Sequence, residues 1–178
     1  MPELIPFKQA AYLFEDFRHT AWRLETRGGY ASDRASAKWQ RWESGEDIRH
    51  DPDNEWRANV RAQVAAGKRF ERVRILDEPP TAGQRFLLAS GLGNVEAGED
   101  IRNLSRTDAD RLNLPRFDFW LFDSRIIMKF RFDENDVTLG VELIEDPAEV
   151  VAACQARDAA WHHAIRTAEF QRQVRSTA

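Results

Sequence analysis

Six basic side chains stand at alternate positions in three segments in which polar and apolar residues alternate. They are Arg23 and Arg27, Arg72 and Arg74, and Lys129 and Arg131. Alternate residues of a β-strand point to the same face of the sheet, so each pair would share one face. If the three faces coincide, they form a basic surface with Glu25 as its internal counter-charge, suited to carboxylates and phosphates. The pattern predicts a site for a small anion, although a solvated sheet face or a salt-bridge network between strands would contain the same residue types.

Pairs of carboxylates offer a second kind of chemistry, general acid–base catalysis. Glu99 and Asp100 are adjacent, and Asp118 and Asp123 stand near the two ends of one segment. A glycosidase or a metal-dependent phosphoesterase would use such pairs. Glu99, Asp100 or Asp123 could act as the base while the arginines orient an anionic substrate. Acidic residues occupy 30 of the 178 positions, so neighbouring acids are also expected by chance. A small acid–base enzyme, a hydrolase or a biosynthetic tailoring enzyme, is therefore the alternative to a binding domain, and no catalytic residue is assigned.

Aromatic residues could supply stacking surfaces. Trp120 shares a strand face with Asp118, where its ring could stack on a ligand or pack in the core. Trp39 and Trp42 are three residues apart on a predicted helix, which suggests a third hypothesis, a protein-interaction module with exposed tryptophans. The glycine-rich run at residues 91–98 matches neither common phosphate-binding fingerprint, and it predicts a plain turn.

Composition argues against several other classes of function. The four histidines lack the spacing of two metal ligands on one helix face, so we expect neither a metal nor a cofactor. The single cysteine, Cys154, lies on an apolar helix stripe, which predicts core packing and a reducing compartment, the cytoplasm. A net charge of −4 argues against direct nucleic-acid binding. No segment approaches the ~20 apolar residues that cross a membrane, and no secretion signal is seen.

The periodicity of apolar residues predicts the elements that would position these side chains. Strands are expected at residues 21–27, 69–77, 117–122, 126–132 and 137–144, and helices at 7–17, 32–44, 54–66 after an Asp53–Asn54 cap, 82–90, 106–112 and from 147 past 161. Short polar joins make the last three strands an antiparallel meander. Residues 1–178 therefore form one α+β domain with a mainly antiparallel sheet of about five strands and helices packed on one side. Residues 171–178 are expected to fray as a C-terminal tail.

Four segments resemble an uncharacterised actinobacterial domain family that is often found beside helix-turn-helix regulators of the Xre type. They are residues 17–27 (FRHTAWRLETR), 68–74 (KRFERVR), 97–102 (AGEDIR) and 117–123 (FDFWLFD). The resemblance spans about residues 14–161. It implies a bacterial cytoplasmic protein, an accessory to transcriptional regulation or to a specialised biosynthetic cluster, and it carries over no catalytic residues.

The leading hypothesis is a regulatory or sensor domain that binds a small anionic ligand, or a helix-turn-helix regulator protein. Binding would use the basic sheet face together with the loop at residues 98–102. The proposed ligand-binding residues are Arg23, Glu25, Arg27, Arg72, Arg74, Glu99, Asp100, Arg102, Trp120 and Asp123.

Overall fold

A computed structural model describes residues 2–51 and 54–176, which contain eight strands. The strands are β1 (Leu4–Ile5), β2 (Thr20–Glu25), β3 (Arg69–Leu76), β4 (Asp100–Ser105), β5 (Phe119–Phe122), β6 (Ile126–Phe132), β7 (Thr138–Ile144) and β8 (Ile165–Arg166). They form one sheet in the order β1-β7-β6-β5-β2-β3-β4-β8. The expected meander of β5, β6 and β7 is confirmed.

The sheet is mixed, so the prediction of about five mainly antiparallel strands is wrong. Strands β2, β3 and β4 are parallel neighbours, whereas the remaining pairings are antiparallel. Helical segments connect β2 to β3 and β3 to β4, and such crossovers bring successive strands into parallel pairing. Parallel pairing places Arg23 opposite Arg72 and Glu25 opposite Arg74.

Helices cover both faces of the sheet, which corrects the expectation of helices on one side. They are α1 (Phe7–Ala10), α2 (Leu13–Asp16), α3 (Ala31–Arg34), α4 (Ala37–Glu43), α5 (Glu55–Ala65), α6 (Ala82–Ala97), α7 (Arg106–Arg111), α8 (Pro147–His163) and α9 (Thr167–Ser176). Aromatic rings pack on one face, among them Phe70 and Trp120 of the sheet and Phe14 of α2. The opposite face packs Leu24 and Val73 against apolar residues of α7 and α8. Since both faces are covered, the three central strands are buried.

Helix α6 runs through the glycines that predicted a turn, so that prediction is wrong. The helix starts at a capping box between Thr81 and Gln84 and ends at Gly98, whose φ is 114°. A Cβ atom at Gly93 would lie 2.3 Å from Cζ of Arg57. The glycine therefore allows α5 and α6 to approach closely, and this packing need outweighs its low helix propensity.

The ends of the chain add two-residue edge strands that periodicity does not reveal. Helix α9 continues to Ser176, while Thr177 and Ala178 of the expected frayed tail lie outside the described residues.

Asn54 caps α5 by accepting a hydrogen bond from the backbone N–H of Arg57. Asp53, the other residue of the predicted cap, lies outside the described residues. Among the described residues, every helix is too short or too polar to cross a bilayer.

Candidate functional site

Three arginines lie on one face of the two central parallel strands. Arg23 of β2 and Arg72 and Arg74 of β3 alternate with apolar residues that face the other way into the core. All three guanidinium groups are buried or nearly so, with 13%, 9% and 2% of the side chain exposed. Buried cations require partners, because removing an unpaired charge from water is costly.

Glu25 is the carboxylate that the three arginines share. Its Oε1 lies 2.7 Å from Nη1 of Arg72, its Oε2 lies 2.7 Å from Nε of Arg74, and Nε of Arg23 lies 3.3 Å from Oε1. Burial would raise the pKa of Glu25, but the attraction of the guanidinium groups outweighs it and holds the pKa well below its usual range. Glu25 therefore stays ionised and fixes the positions of the arginines.

Two further buried acids complete what we call the buried ion cluster, the residues Arg23, Arg72, Arg74, Glu25, Glu99 and Asp118. Glu99 accepts hydrogen bonds from Nε of Arg72 at 2.7 Å and from Nε1 of Trp56 at 3.2 Å. Asp118 accepts from the backbone N–H and the hydroxyl of Thr26, both at 2.8 Å, and from the Tyr30 hydroxyl. The cluster thus holds three positive and three negative charges.

Arg23 is the least firmly paired cation of the cluster. Its Nη2 lies 3.4 Å from Asp118 and 3.4 Å from the Tyr30 hydroxyl, and its Nε makes no hydrogen bond to any described residue. Arg74, in contrast, also donates to the carbonyl of Leu87 at 2.9 Å. Burial would lower the pKa of Arg23, but Glu25, together with Tyr30 and Asp118, raises it, so the guanidinium is charged at every working pH.

Four members of the buried ion cluster, Arg23, Glu25, Arg72 and Arg74, form the floor of a cavity of about 450 Å³, here called the aromatic cavity. Its walls include Phe7, Phe14, Tyr30, Trp56, Trp120, Phe130 and Phe132, and its polar lining includes Ser32, Asp33, Ser90, Asn94 and Thr138. The Arg23 guanidinium carbon lies 4.9 Å from the centre of the Phe130 ring and 5.6 Å from that of Trp120. An apolar cavity with a few charged groups at one end is the usual form of a small-molecule site.

Asp33 of α3 is a carboxyl group of this cavity that stands apart from the buried ion cluster. Its Oδ2 is buried and has no hydrogen-bond partner among the described residues. Burial, followed by repulsion from Glu25, raises the pKa of Asp33 to about 6. The group can therefore change its ionisation near neutral pH.

The structure brings together six of the ten predicted binding residues and separates the other four. Those that meet at the cavity or directly behind it are Arg23, Glu25, Arg72, Arg74, Glu99 and Trp120. Arg27 follows the end of β2 and pairs with Asp136 in the β6–β7 turn at 2.5 Å. Asp100 and Arg102 of β4 pair with each other at 3.2 Å, and Arg102 lies 3.7 Å from the centre of the Trp161 ring on α8. None of these three belongs to the lining of the aromatic cavity.

Two other patterns in the sequence lead elsewhere in the structure. Lys129 and Arg131 lie on the face opposite Phe130, where Lys129 contacts the Phe117 ring at 4.0 Å and Arg131 pairs with Glu142 at 2.9 Å. They therefore do not extend the basic face of β2 and β3. Trp39 is buried and Trp42 partly buried, and both rings pack on Phe86 of α6. This pair does not provide the exposed tryptophans on which an interaction module would rely.

Asp123 holds the backbone that leads into β2. Its carboxylate accepts hydrogen bonds from the N–H groups of Arg18, His19 and Thr20 at 2.7, 2.7 and 3.0 Å. Burial would raise the pKa of Asp123, but these hydrogen bonds lower it. The role that the geometry supports is structural.

We expect Asp123→Ala to lower the free energy of unfolding by about 2 kcal/mol, because three N–H groups lose a charged acceptor and only water can replace it. Urea denaturation monitored by tryptophan fluorescence would measure the loss. Asp110→Ala, which removes a carboxylate paired on the surface with Arg116, is the control and should cost less than about 0.5 kcal/mol. Equal losses in the two variants would contradict the structural role.

Sequence reasoning missed several residues of the site. Asp33 stands at the start of the helix expected at residues 32–44, whereas in the structure it lies in α3, and Ser36 caps α4 through the backbone N–H of Trp39. Tyr30 and Trp56 lie on the β2–β3 connection, and only the tertiary fold brings them over the sheet. Asp118 could have been included, because its position two residues before Trp120 places both on the same face of the chain.

The described residues contain no group of three histidine, cysteine or acidic side chains arranged to hold a metal ion. Cys154 packs against the core of the second sheet face, as its position on the apolar stripe predicts.

Comparison with known proteins gives a fold and a family. The structure is similar to that of NucT from Helicobacter pylori, with a TM-score of 0.51 and 9% sequence identity over 93% of this chain and 97% of that chain. At this identity the similarity shows a shared fold alone. No curated protein gives a significant match. The model of one protein family, described as a domain of unknown function (DUF6879), matches residues 8–172, and the chain therefore belongs to this family.

Proposed function

We propose that this domain binds a small molecule in the aromatic cavity and that Arg23 holds an acidic group of that molecule, a carboxylate or a phosphate. The observation that carries the proposal is the incomplete pairing of Arg23 at the floor of a cavity of about 450 Å³. Small-molecule sites commonly enclose about 300–1,000 Å³. The cavity is therefore large enough for a ligand of metabolite size.

The other two arginines support this site without being free to bind. Arg72 is held by Glu25 and Glu99, and Arg74 by Glu25 and the Leu87 carbonyl, all at 2.7–2.9 Å. A ligand would have to break strong buried ion pairs to engage either group. Arg23 has contacts of 3.3–3.4 Å, so an anion can replace them at small cost. The fixed neighbours keep Arg23 in position before a ligand arrives.

The walls of the cavity indicate the rest of the ligand. The rings of Phe14, Trp56 and Trp120 contact one another edge-on or tilted at 5.1–5.7 Å between centres and line one side of the cavity. Such surfaces favour a flat or bulky apolar body through buried area and ring contacts. The proposed ligand therefore combines an apolar body with an acidic group.

A ligand screen with Arg23 variants tests this proposal. The panel contains aromatic and aliphatic carboxylates, amino acids, nucleotides and sugar phosphates, and thermal unfolding is the readout. A ligand that binds only the folded state adds about 2.7 kcal/mol of stability at a hundredfold excess over its Kd. Arg23→Gln should weaken binding roughly 10- to 100-fold, because it removes a charge-assisted hydrogen bond of about 1.5–3 kcal/mol. Arg23→Lys keeps the charge but lacks the planar guanidinium group. Its affinity for the ligand should lie between those of the unmodified protein and Arg23→Gln.

Arg131→Gln is the matched control, since Arg131 lies in an exposed ion pair on the opposite face. Its binding should equal that of the unmodified protein. Calorimetry on the folded variants separates lost affinity from lost stability. The proposal would be contradicted if no compound of the panel bound, or if a ligand bound Arg23→Gln as tightly as it binds the unmodified protein.

We propose further that binding serves a regulatory or sensor role beside a helix-turn-helix regulator. This role depends on the resemblance of the four sequence segments and on nothing in the geometry. Co-purification of the domain with a helix-turn-helix regulator of the type that the resemblance implies, with and without ligand, tests the role. A complex that forms to the same extent with and without ligand would contradict a sensor role.

A second candidate function, acid–base catalysis, is favoured by one observation, the pKa of about 6 at Asp33 inside the cavity. The acids that sequence reasoning suggested as bases are bound otherwise: Glu99 by Arg72, Asp100 by Arg102 and Asp123 by backbone N–H groups. Incubating each bound ligand with the protein in deuterated water and recording NMR spectra would reveal proton exchange or conversion. Turnover that Asp33→Asn abolishes would establish an enzyme, whereas unchanged ligands would leave binding as the function.

A further inference from the structure

The aromatic cavity contains one carboxyl group that the protein itself leaves without a partner, that of Asp33. Neither of its oxygens accepts a hydrogen bond from a described residue, and no described cation lies within 4.0 Å of it. Each carboxylate of the buried ion cluster, by comparison, has at least one arginine partner. Asp33 is therefore the acidic group of the cavity that can accept a partner from outside.

Cations of the protein lie near enough to influence Asp33 without binding it. Arg74 and Arg23 lower its pKa through space, as does Lys38 of α4, while Glu25 raises it. Arg74 is fixed by Glu25 and the Leu87 carbonyl, and Arg23 faces Glu25 and Asp118. Lys38 forms no ion pair with Asp33. A cationic group on the ligand would give Asp33 the partner that these side chains do not provide.

Charge balance leads to the same conclusion. The buried ion cluster is neutral, with three arginines against three acids, and Asp33 adds a negative charge when it ionises. A ligand with a carboxylate alone would add a second uncompensated negative charge beside the ionised Asp33. A ligand with both a carboxylate and an ammonium group adds no net charge, and its ammonium group gives Asp33 a cationic partner.

We propose that the ligand is amphoteric, an amino acid or a close analogue with a bulky apolar side chain. Its carboxylate pairs with Arg23, its ammonium group donates hydrogen bonds to Asp33, and its side chain lies among the rings of Trp56, Trp120 and Phe130. This inference deepens the proposed function and rests on it. It adds the class of ligand and a specificity residue, Asp33, that no sequence motif singles out.

Matched pairs of ligands that differ only in the α-amino group test this inference. The pairs are phenylalanine with 3-phenylpropionate, tryptophan with indole-3-propionate, and leucine with 4-methylpentanoate, titrated calorimetrically into the full chain at pH 7.5. We expect at least one amino acid to bind at least tenfold more tightly than its desamino partner. Asp33→Asn should remove this ratio, because the amino acid loses a partner for its ammonium group while the desamino acid binds at least as tightly as before. Asp110→Asn, a change at an exposed ion pair, should preserve the ratio.

The outcomes separate the inference from the proposed function. Desamino acids that bind as well as or better than the amino acids, and that lose affinity in Arg23→Gln, would overturn the amphoteric ligand and leave the anion site standing. An Arg23-dependent nucleotide or sugar phosphate without an amino group, found in the wider panel, would do the same. If no compound binds, both are overturned.

Discussion

Replacing Glu25 by Gln is expected to lower the free energy of unfolding by about 3–5 kcal/mol. The substitution keeps the size of the side chain but removes the negative charge that lies 2.7 Å from both Arg72 and Arg74 and 3.3 Å from Arg23. Three buried guanidinium groups would then share two acids, Glu99 and Asp118. Domains of this size have about 5–15 kcal/mol of stability in total, so the substitution would remove a large share of it.

Urea denaturation at pH 7 would measure this effect, with Glu145→Gln as the matched control. Glu145 pairs with Arg125 at 3.1 Å, but both side chains are more than 60% exposed, and such pairs contribute about 0–1 kcal/mol. A loss below about 1 kcal/mol in Glu25→Gln would show that the buried ion cluster does not hold the sheet together.

The pH dependence of this difference follows from the lowered pKa of Glu25. A group whose pKa is depressed by folding stabilises the folded protein above its unfolded pKa of 4.5, and that contribution is lost as the pH falls further. The gap between the unmodified protein and Glu25→Gln should therefore be constant near neutrality. It should narrow as the pH drops below about 4.5.

The charged face of β2 and β3 could be predicted from the sequence because it follows from local geometry. Alternation along a strand places Arg23 with Glu25 and Arg72 with Arg74, whatever the neighbours are. It cannot say which strands are adjacent, or whether two faces coincide. Lys129 alternates equally well, yet the register of β6 turns it to the opposite face, where it meets Phe117.

The parallel half of the sheet was missed because β4 was not recognised as a strand. Its sequence, DIRNLS, combines charged and polar residues, since Asn103 bonds to Thr167 and Arg102 covers the Trp161 ring. These side-chain contacts are tertiary, so no local pattern in the sequence predicts them. Without β4, the glycines at 91–98 indicate a turn that ends the helix expected at 82–90, and the crossover through α6 to a parallel strand cannot be predicted.

The cavity could not be predicted from the sequence either, because it is formed by tertiary contacts. Its walls come from α2, from the connection between β2 and β3, from α6 and from the β6–β7 hairpin, all far apart along the chain. Arg27 and Arg34 hold the segment that carries Asp33 by pairing with Asp136 of that hairpin. Only the folded topology reveals that these contacts close one side of a site.

Replacing Asp33 by Asn is expected to raise the free energy of unfolding by up to about 3 kcal/mol at pH 8, because each unit of pKa shift corresponds to about 1.4 kcal/mol. Burial first, and then repulsion from Glu25, raises the pKa of Asp33 from 3.8 to about 6, while Arg74, Arg23 and Lys38 oppose that rise. A group whose pKa is raised by folding favours the folded protein fully below its unfolded pKa, and this advantage is lost as the pH rises through about 6. The stabilisation by Asn should fall to about half at pH 5 and disappear below about pH 4.

Denaturation of both proteins between pH 4 and pH 8 would measure this trend, and a gain in stability that does not change with pH would contradict it. The same substitution is expected to remove the preference for amino acids over desamino acids. In the protein without ligand, the ionised carboxylate of Asp33 lowers the free energy of unfolding, and a purely structural residue would not do so. Opposite effects of Asp33→Asn on stability and on ligand preference would therefore identify Asp33 as a residue retained for binding.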